Sequence, residues 1–203
     1  MAYEHDVFLS YRRANEWPRF VNDHFFPMLR HWLDATLGRD SRIFFDVRDI
    51  ETGESWPYRL AQALAHSKVM VCLWSKQYFS SQWCTAELSH MLARRKITAT
   101  PFGLRPLILA AVIHDGEELD PSLAEIQRFP LQKYSNPWIG KGSPAAEQLS
   151  MELEEFSRHV AHALDRAPDH DPKWLDLATD EFSAIFGART NQYALPRLGP
   201  MIS

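Results

Sequence analysis

The run Val69-Met70-Val71-Cys72-Leu73-Trp74 is apolar at every position, with no alternation that would leave one side to water. Such a strand fits the centre of a sheet covered on both faces, as in parallel sheets wrapped by helices. Other short apolar runs share its character. Val7-Phe8-Leu9 follows Asp6 and ends at Ser10-Tyr11-Arg12-Arg13; Arg42-Ile43-Phe44-Phe45 ends at Asp46; Pro106 to Ile113 supplies a fourth strand and Phe129 to Tyr134 a weaker fifth. Helical stretches separate them. Pro18 can open a helix, and Pro27 is expected to break it and start another through Met28, Leu29, Trp32, Leu33 and Leu37 to Gly38. Trp56-Pro57 opens a third through Leu60, Ala63 and Leu64. Ser143-Pro144 opens one through Leu149, Leu153, Phe156, Val160 and Leu164, a spacing that keeps one face apolar. Strand and helix alternate, so the fold class is an α/β layer sandwich around a five-stranded parallel sheet.

Between the third and fourth strands lies Trp83-Cys84-Thr85-Ala86-Glu87, which starts a helix capped by Ser80 or Ser81 and closed by Arg94, Arg95 and Lys96. Its apolar stripe runs Cys84, Leu88, Met91, Leu92. Glu87, three residues after Cys84 and four before Met91, falls beside that stripe and not opposite it. It lies beyond the first turn, where the helix dipole would account for a carboxylate, and Arg94 and Arg95 are too far along to pair with it as helix neighbours. The spacing leaves two readings open, a functional glutamate or an edge-of-core glutamate paired to another segment.

The chain has 203 residues, enough for one substantial core, and a formal net charge of -4, which argues against a nucleic-acid surface. Cys72 and Cys84 have neither CxxC spacing nor the look of a disulfide framework. The N-terminus lacks the basic and apolar regions of a signal peptide, and no apolar run approaches a membrane span. A cytoplasmic protein with no membrane segment is the expectation. Beyond Leu164 a linker-like run, Pro168-Asp169-His170-Asp171-Pro172, leads to Trp174, Leu177, Ala178, Phe182, Ile185 and Phe186, an amphipathic helix expected to pack back on the domain. The division is thus 3–164 for the domain and 165–203 for linker, helix and C-terminal arm.

In an open parallel sheet, ligands bind outside the carboxyl ends of the strands. Ser10, Tyr11, Arg12 and Arg13 follow the first strand, Asp46 the second and Ser75 the third; Trp83 and Glu87 begin a helix on the same edge. The arginines read either as a surface pair or as an anion grip. Trp83 reads first as a core anchor, and Trp56, after the turn at Gly53, either as a residue that stacks on a ligand or as a cap on the core. No GxGxxG follows a strand, Gly140-Lys141-Gly142-Ser143 lacks the upstream glycine of a phosphate loop, and there is no GxSxG or HExxH, so dinucleotide redox, NTPase, hydrolase-elbow and zincin readings lack support. His159, His162 and Asp165 read as a solvated helix edge, and no metal site is expected.

Three of these stretches together resemble the Toll/interleukin receptor (TIR) domain family. Asp6 to Arg12 is similar to its first box, Phe45-Asp46 through Ile50 and Gly53 to Trp56 to its second-strand loop, and Trp83 to Glu87 to its helix motif; the resemblance covers about Tyr3 to Leu164. It implies a flavodoxin-like three-layer sandwich with strand order 2-1-3-4-5, extended here by a C-terminal helix. Many bacterial and plant members, and one animal member, hydrolyse NAD, releasing nicotinamide and leaving ADP-ribose or a cyclic isomer. The resemblance implies Glu87 as catalytic, with Ser10, Tyr11, Arg12, Arg13, Asp46, Trp56, Ser75 and Trp83 around the substrate. Its self-association loop would include Arg48, Asp49, Ile50 and Gly53. NAD would be substrate and no cofactor is implied. Self-association completes the site in this family, a separate regulatory partner is conceivable, and bacterial immunity against phage is a setting. The alternative is a non-enzymatic module that signals by TIR-to-TIR contacts. Two features depart from the family: Thr52 stands before the glycine where many members carry proline, and the stretch from Ala14 to Phe26 is longer than the usual connection.

Overall fold

The computed structural model describes residues 3–45, 56–116 and 123–186, without the side chains of residues 56, 57 and 183–186. Five parallel strands form one sheet in the order β2-β1-β3-β4-β5. They are β1 (His5–Tyr11), β2 (Ile43–Phe44), β3 (Ser67–Trp74), β4 (Ile108–Val112) and β5 (Arg128–Pro130). β3 is central, pairing with β1 from His5↔Ser67 to Tyr11↔Leu73 and with β4 from Met70↔Ile108 to Trp74↔Val112. Its six apolar residues are all buried, as their unbroken run requires. The edge strands are short, and Pro130, which has no N–H to give, closes the outer one.

The helices are α1 (Trp17–Phe20), α2 (Phe26–Leu37), α3 (Trp56–Ala65), α4 (Lys76–Phe79), α5 (Gln82–Ile97), α6 (Pro144–Asp165) and α7 (Lys173–Phe186). The step from β1 to β2 runs one way along the sheet and the later steps run the other. Right-handed crossovers therefore place their helices on opposite faces. α2 packs on α6, whereas α3 and α5 both pack on α7. The C-terminal helix lies against the domain through Trp174, Ala178 and Phe182, all buried. No helix among the described residues is long and apolar enough to cross a membrane.

One expectation fails at Pro27. The helix is not broken there: α1 runs into a π-helical stretch, Val21–Phe25, and that into α2 without interruption. The N–H of Phe26 reaches back five residues to the carbonyl of Val21, so the register has already shifted when the proline arrives, and Pro27 takes a first-turn position. The second and fifth strands are also shorter than their apolar runs. Gly38 ends α2 in the left-handed conformation at φ 66°, the helix stop read from the sequence.

Candidate functional site

β1 and α5 meet at the carboxyl edge of the sheet. Ser81 caps α5, its Oγ accepting from the N–H of Cys84 at 3.4 Å, and this fixes the helix phase. Cys84, Leu88 and Met91 then face the core, and Glu87 follows them inward, leaving 7% of its surface exposed. Ser10 Oγ donates to Glu87 Oε2 at 2.5 Å, within the range of a hydroxyl bonded to a carboxylate, and lies 2.9 Å from the hydroxyl of Tyr78. Glu87 opens on a cavity of about 180 Å³ lined by Tyr11, Arg12, Arg13, Leu60, Ser81, Trp83 and Cys84. A recess of about 20 Å³ continues past Arg13 and Glu87 toward Ser10.

The cations of this cavity come from one short run. Arg12 Nη1 donates to Ser81 Oγ at 3.3 Å, tying the end of β1 to the cap of α5. The guanidinium of exposed Arg13 lies 5.8 Å from the ring centroid of Tyr11, and that ring stacks on Phe45. Trp83, half-buried, leans on Phe182 of α7 with centroids 6.1 Å apart. Burial, and then the nearby Glu87 charge, push the Cys84 thiol up to about 12, and burial lifts Tyr78 and Cys72 well above their ordinary values. All three stay protonated and neutral around the carboxylate.

Of the expected site residues, Tyr11, Arg12, Arg13, Trp83 and Glu87 share this cavity, with Ser10 bonded behind it. Ser75 is elsewhere: buried, it caps α4 by accepting from the N–H of Tyr78 and borders a larger cavity of about 530 Å³ with Trp17, His114, Asp115 and Lys133. Size and chemistry disagree here, and chemistry decides. Of the two carboxylates lining the larger cavity, Asp115 is engaged by the N–H of Lys76 and by His114 and Glu16 is exposed, whereas the smaller cavity places an almost buried, held glutamate beside two arginines. Asp46, Arg48, Asp49, Ile50 and Gly53 lie outside the described residues, and Trp56 is described only as the first residue of α3. Sequence reasoning missed Tyr78 and Leu60. Tyr78 sits in a four-residue helix, too short for any periodicity to mark it. Among the described residues, no group of three or more His, Cys, Asp and Glu side chains could hold a metal ion.

Residues 7–138 match the sequence profile of the family described as TIR domain. Probable disease resistance protein RPP1 of Arabidopsis thaliana is 22% identical over 209 residues, which cover 97% of this chain and 16% of that protein. Probable 2' cyclic ADP-D-ribose synthase TcpB of Brucella abortus (strain 2308) is 33% identical over 92 residues, 44% of this chain and 32% of that protein. The chain therefore spans less than a third of the length of either relative. Among solved structures, the TIR domain of the Toll-related receptor TRR-2 from Hydra magnipapillata aligns with a TM-score of 0.46 at 17% identity, over 76% of this chain and 98% of that one. The TIR domains of the activated Roq1 resistosome, which directly recognises the pathogen effector XopQ, align at 0.40 and 19%, over 90% and 100%.

Proposed function

The chain belongs to the TIR domain family, and on that premise we propose that it is an NAD glycohydrolase, cleaving the bond between nicotinamide and ribose to leave ADP-ribose or a cyclic isomer. The observation that carries this reading is Glu87, an almost buried carboxylate held by Ser10 and opening on a cavity with Arg12 and Arg13. Breaking a ribosyl bond builds positive charge on the sugar ring, and a fixed carboxylate stabilises that charge more than the neutral ground-state ring. Nicotinamide departs as a neutral molecule, so no proton need be delivered to it. One carboxylate suffices where cleavage of neutral sugars uses two. The guanidinium groups of Arg12 and Arg13 suit the pyrophosphate, which they can grip through paired N–H donors. That one relative is named a probable cyclic ADP-ribose synthase supports this substrate class, and that another is named a probable disease resistance protein supports a role in signalling or defence.

The cavity formed by the described residues is smaller than the roughly 300–1,000 Å³ of ordinary ligand sites. Its size supports completion of the site by self-association, with NAD and a second copy as the partners. It equally favours the rival reading, a non-enzymatic module that signals by association alone. Incubation with NAD separates the two. Nicotinamide release is expected from the parent, and Glu87→Gln is expected to lower it about a hundredfold or more with the fold intact. Assembly without nicotinamide release would establish the non-enzymatic reading. Activity of Glu87→Gln near the parent's would remove Glu87 from the mechanism.

A further inference from the structure

We propose that Tyr78 and Ser10 form a hydrogen-bond relay that positions Glu87, Tyr78 acting on the carboxylate only through Ser10. The direction of the relay follows from counting protons. An ionised carboxylate can only accept, so the contact of Ser10 Oγ with Glu87 Oε2 uses the single proton of the serine. The same oxygen lies 2.9 Å from Tyr78 Oη, and with its own proton spent it must accept there, so Tyr78 is the donor. Tyrosine gives to serine and serine gives to glutamate. Neither hydroxyl is free to turn, and each bond polarises the next.

The relay joins three elements at one oxygen. Ser10 is 2% exposed at the end of β1, Tyr78 is fully buried on α4, and Glu87 belongs to α5. Tyr78 is itself held: its N–H is bonded to Ser75 at both the carbonyl, 3.0 Å, and Oγ, 3.2 Å, and its ring meets Phe79 edge-on at 5.3 Å. α4 therefore serves as a bracket that carries one hydroxyl beneath the site. The titratable groups facing the relay are Cys72 from β3, Cys84 and Glu87 from α5, and Arg12 by way of Ser81 and Cys84; burial keeps both thiols and the phenol protonated. Ser10, as part of the relay, is a positioning residue and not a substrate contact.

The inference rests on the proposed reaction for its kinetic consequence but not for its physical one, and two measurements keep them apart. The first is the titration of Glu87, followed by its side-chain carbon resonance in the full chain without substrate. Removing a donor from a carboxylate disfavours the charged form, so Ser10→Ala is expected to raise the Glu87 pKa by about one unit and Tyr78→Phe by a smaller amount in the same direction. The second is steady-state nicotinamide release. Ser10→Ala is expected to lower kcat about tenfold or more, and Tyr78→Phe about threefold to tenfold, with KM within about twofold of the parent in both. The double variant should match Ser10→Ala alone, because a tyrosine that acts through the serine has nothing left to act on. Multiplying effects would overturn the relay. So would a Tyr78→Phe chain that melts earlier while its Glu87 titration and kcat stay at the parent's values. If the parent releases no nicotinamide, the proposed reaction falls while the titration still decides the relay.

Discussion

His90 lies one turn after Glu87 on α5, fully buried, and neither ring nitrogen meets a partner among the described residues. Burial, reinforced by the Arg94 charge, lowers its pKa from 6.5 to about 3. The folded value lies below the unfolded one, so the unfolded chain binds the proton first. His90 therefore adds no proton-linked cost above about pH 6.5 and progressively destabilises the fold as pH falls toward 3. His24 and His170, also lowered chiefly by burial, act in the same direction. His90→Leu is expected to flatten, without abolishing, the fall in urea midpoint between pH 7 and about 4.5. That window stays above the range where Asp6 titrates: burial raises its carboxyl, but hydrogen bonds from Arg39 and the N–H of Arg42 outweigh this and hold it below 3.8. A second residue is set by closeness alone. A Cβ on Gly116 would meet the carbonyl oxygen of Trp74 at 2.3 Å, so Gly116→Ala must move backbone at the end of β3, next to Ser75. A loss of about 2 kcal/mol or more is expected in denaturant titration. The place of Glu87 was legible because its spacing from Cys84 and Met91 allowed one helix phase only. Burial without partners, as at His90, is not written in spacing.

At the level of elements, α7 carries the information that the sequence concealed. Its Trp174 covers the guanidinium of Arg94, with 4.0 Å from Cζ to the ring centroid. Arg94 is fully buried, and no carboxylate pairs with it among the described residues. It donates instead to the carbonyl of Ser67 at 2.9 Å, to that of Leu64 at 3.4 Å and to Tyr3 Oη at 3.3 Å, while Tyr3 donates onward to the carbonyl of Pro168. Three basic residues at a helix C-terminus read as charges set against the dipole in water. That reading holds for Lys96, which is exposed, and fails for Arg94, because a helix from beyond position 170 closes over it. Trp174→Ala is expected to cost about 3–5 kcal/mol in thermal or urea unfolding, since it removes a buried ring and uncovers a desolvated cation. Arg94→Met in the same chain should recover part of that loss, because no cation then remains to be uncovered. Strictly additive losses would show that the two side chains pack independently. The π-helical stretch before Pro27 was illegible for a comparable reason: a proline signals a missing donor, and the compensating register shift leaves no residue type of its own.

Across the whole molecule the two ends of the sheet differ. Among the described residues, Tyr3, His66, His170 and Trp174 pack around Arg94 at the amino end, where a cavity of about 220 Å³ also lies beside Ser41, Arg42 and Ile43, whereas the carboxyl end carries the cavity that opens on Glu87 and the larger one beside Ser75. This polarity was readable from the sequence, since polar and basic residues gather after β1 and follow from the direction of a parallel sheet. The completeness of the site was not readable, because volume depends on what surrounds an edge and not on the residues at it. The described residues enclose about 180 Å³ at Glu87, less than a dinucleotide fills. If a second copy supplies the missing wall, nicotinamide release per molecule must rise with protein concentration, and the donor of that wall need not itself be catalytic. Adding an excess of the Glu87→Gln chain to a small, fixed amount of parent is therefore expected to raise the parent's rate several-fold toward its high-concentration value. The same excess of an unrelated protein should leave it unchanged. A parent rate that is proportional to its own concentration throughout, and indifferent to the added variant, would mean that each chain holds a complete site, closed by its own residues.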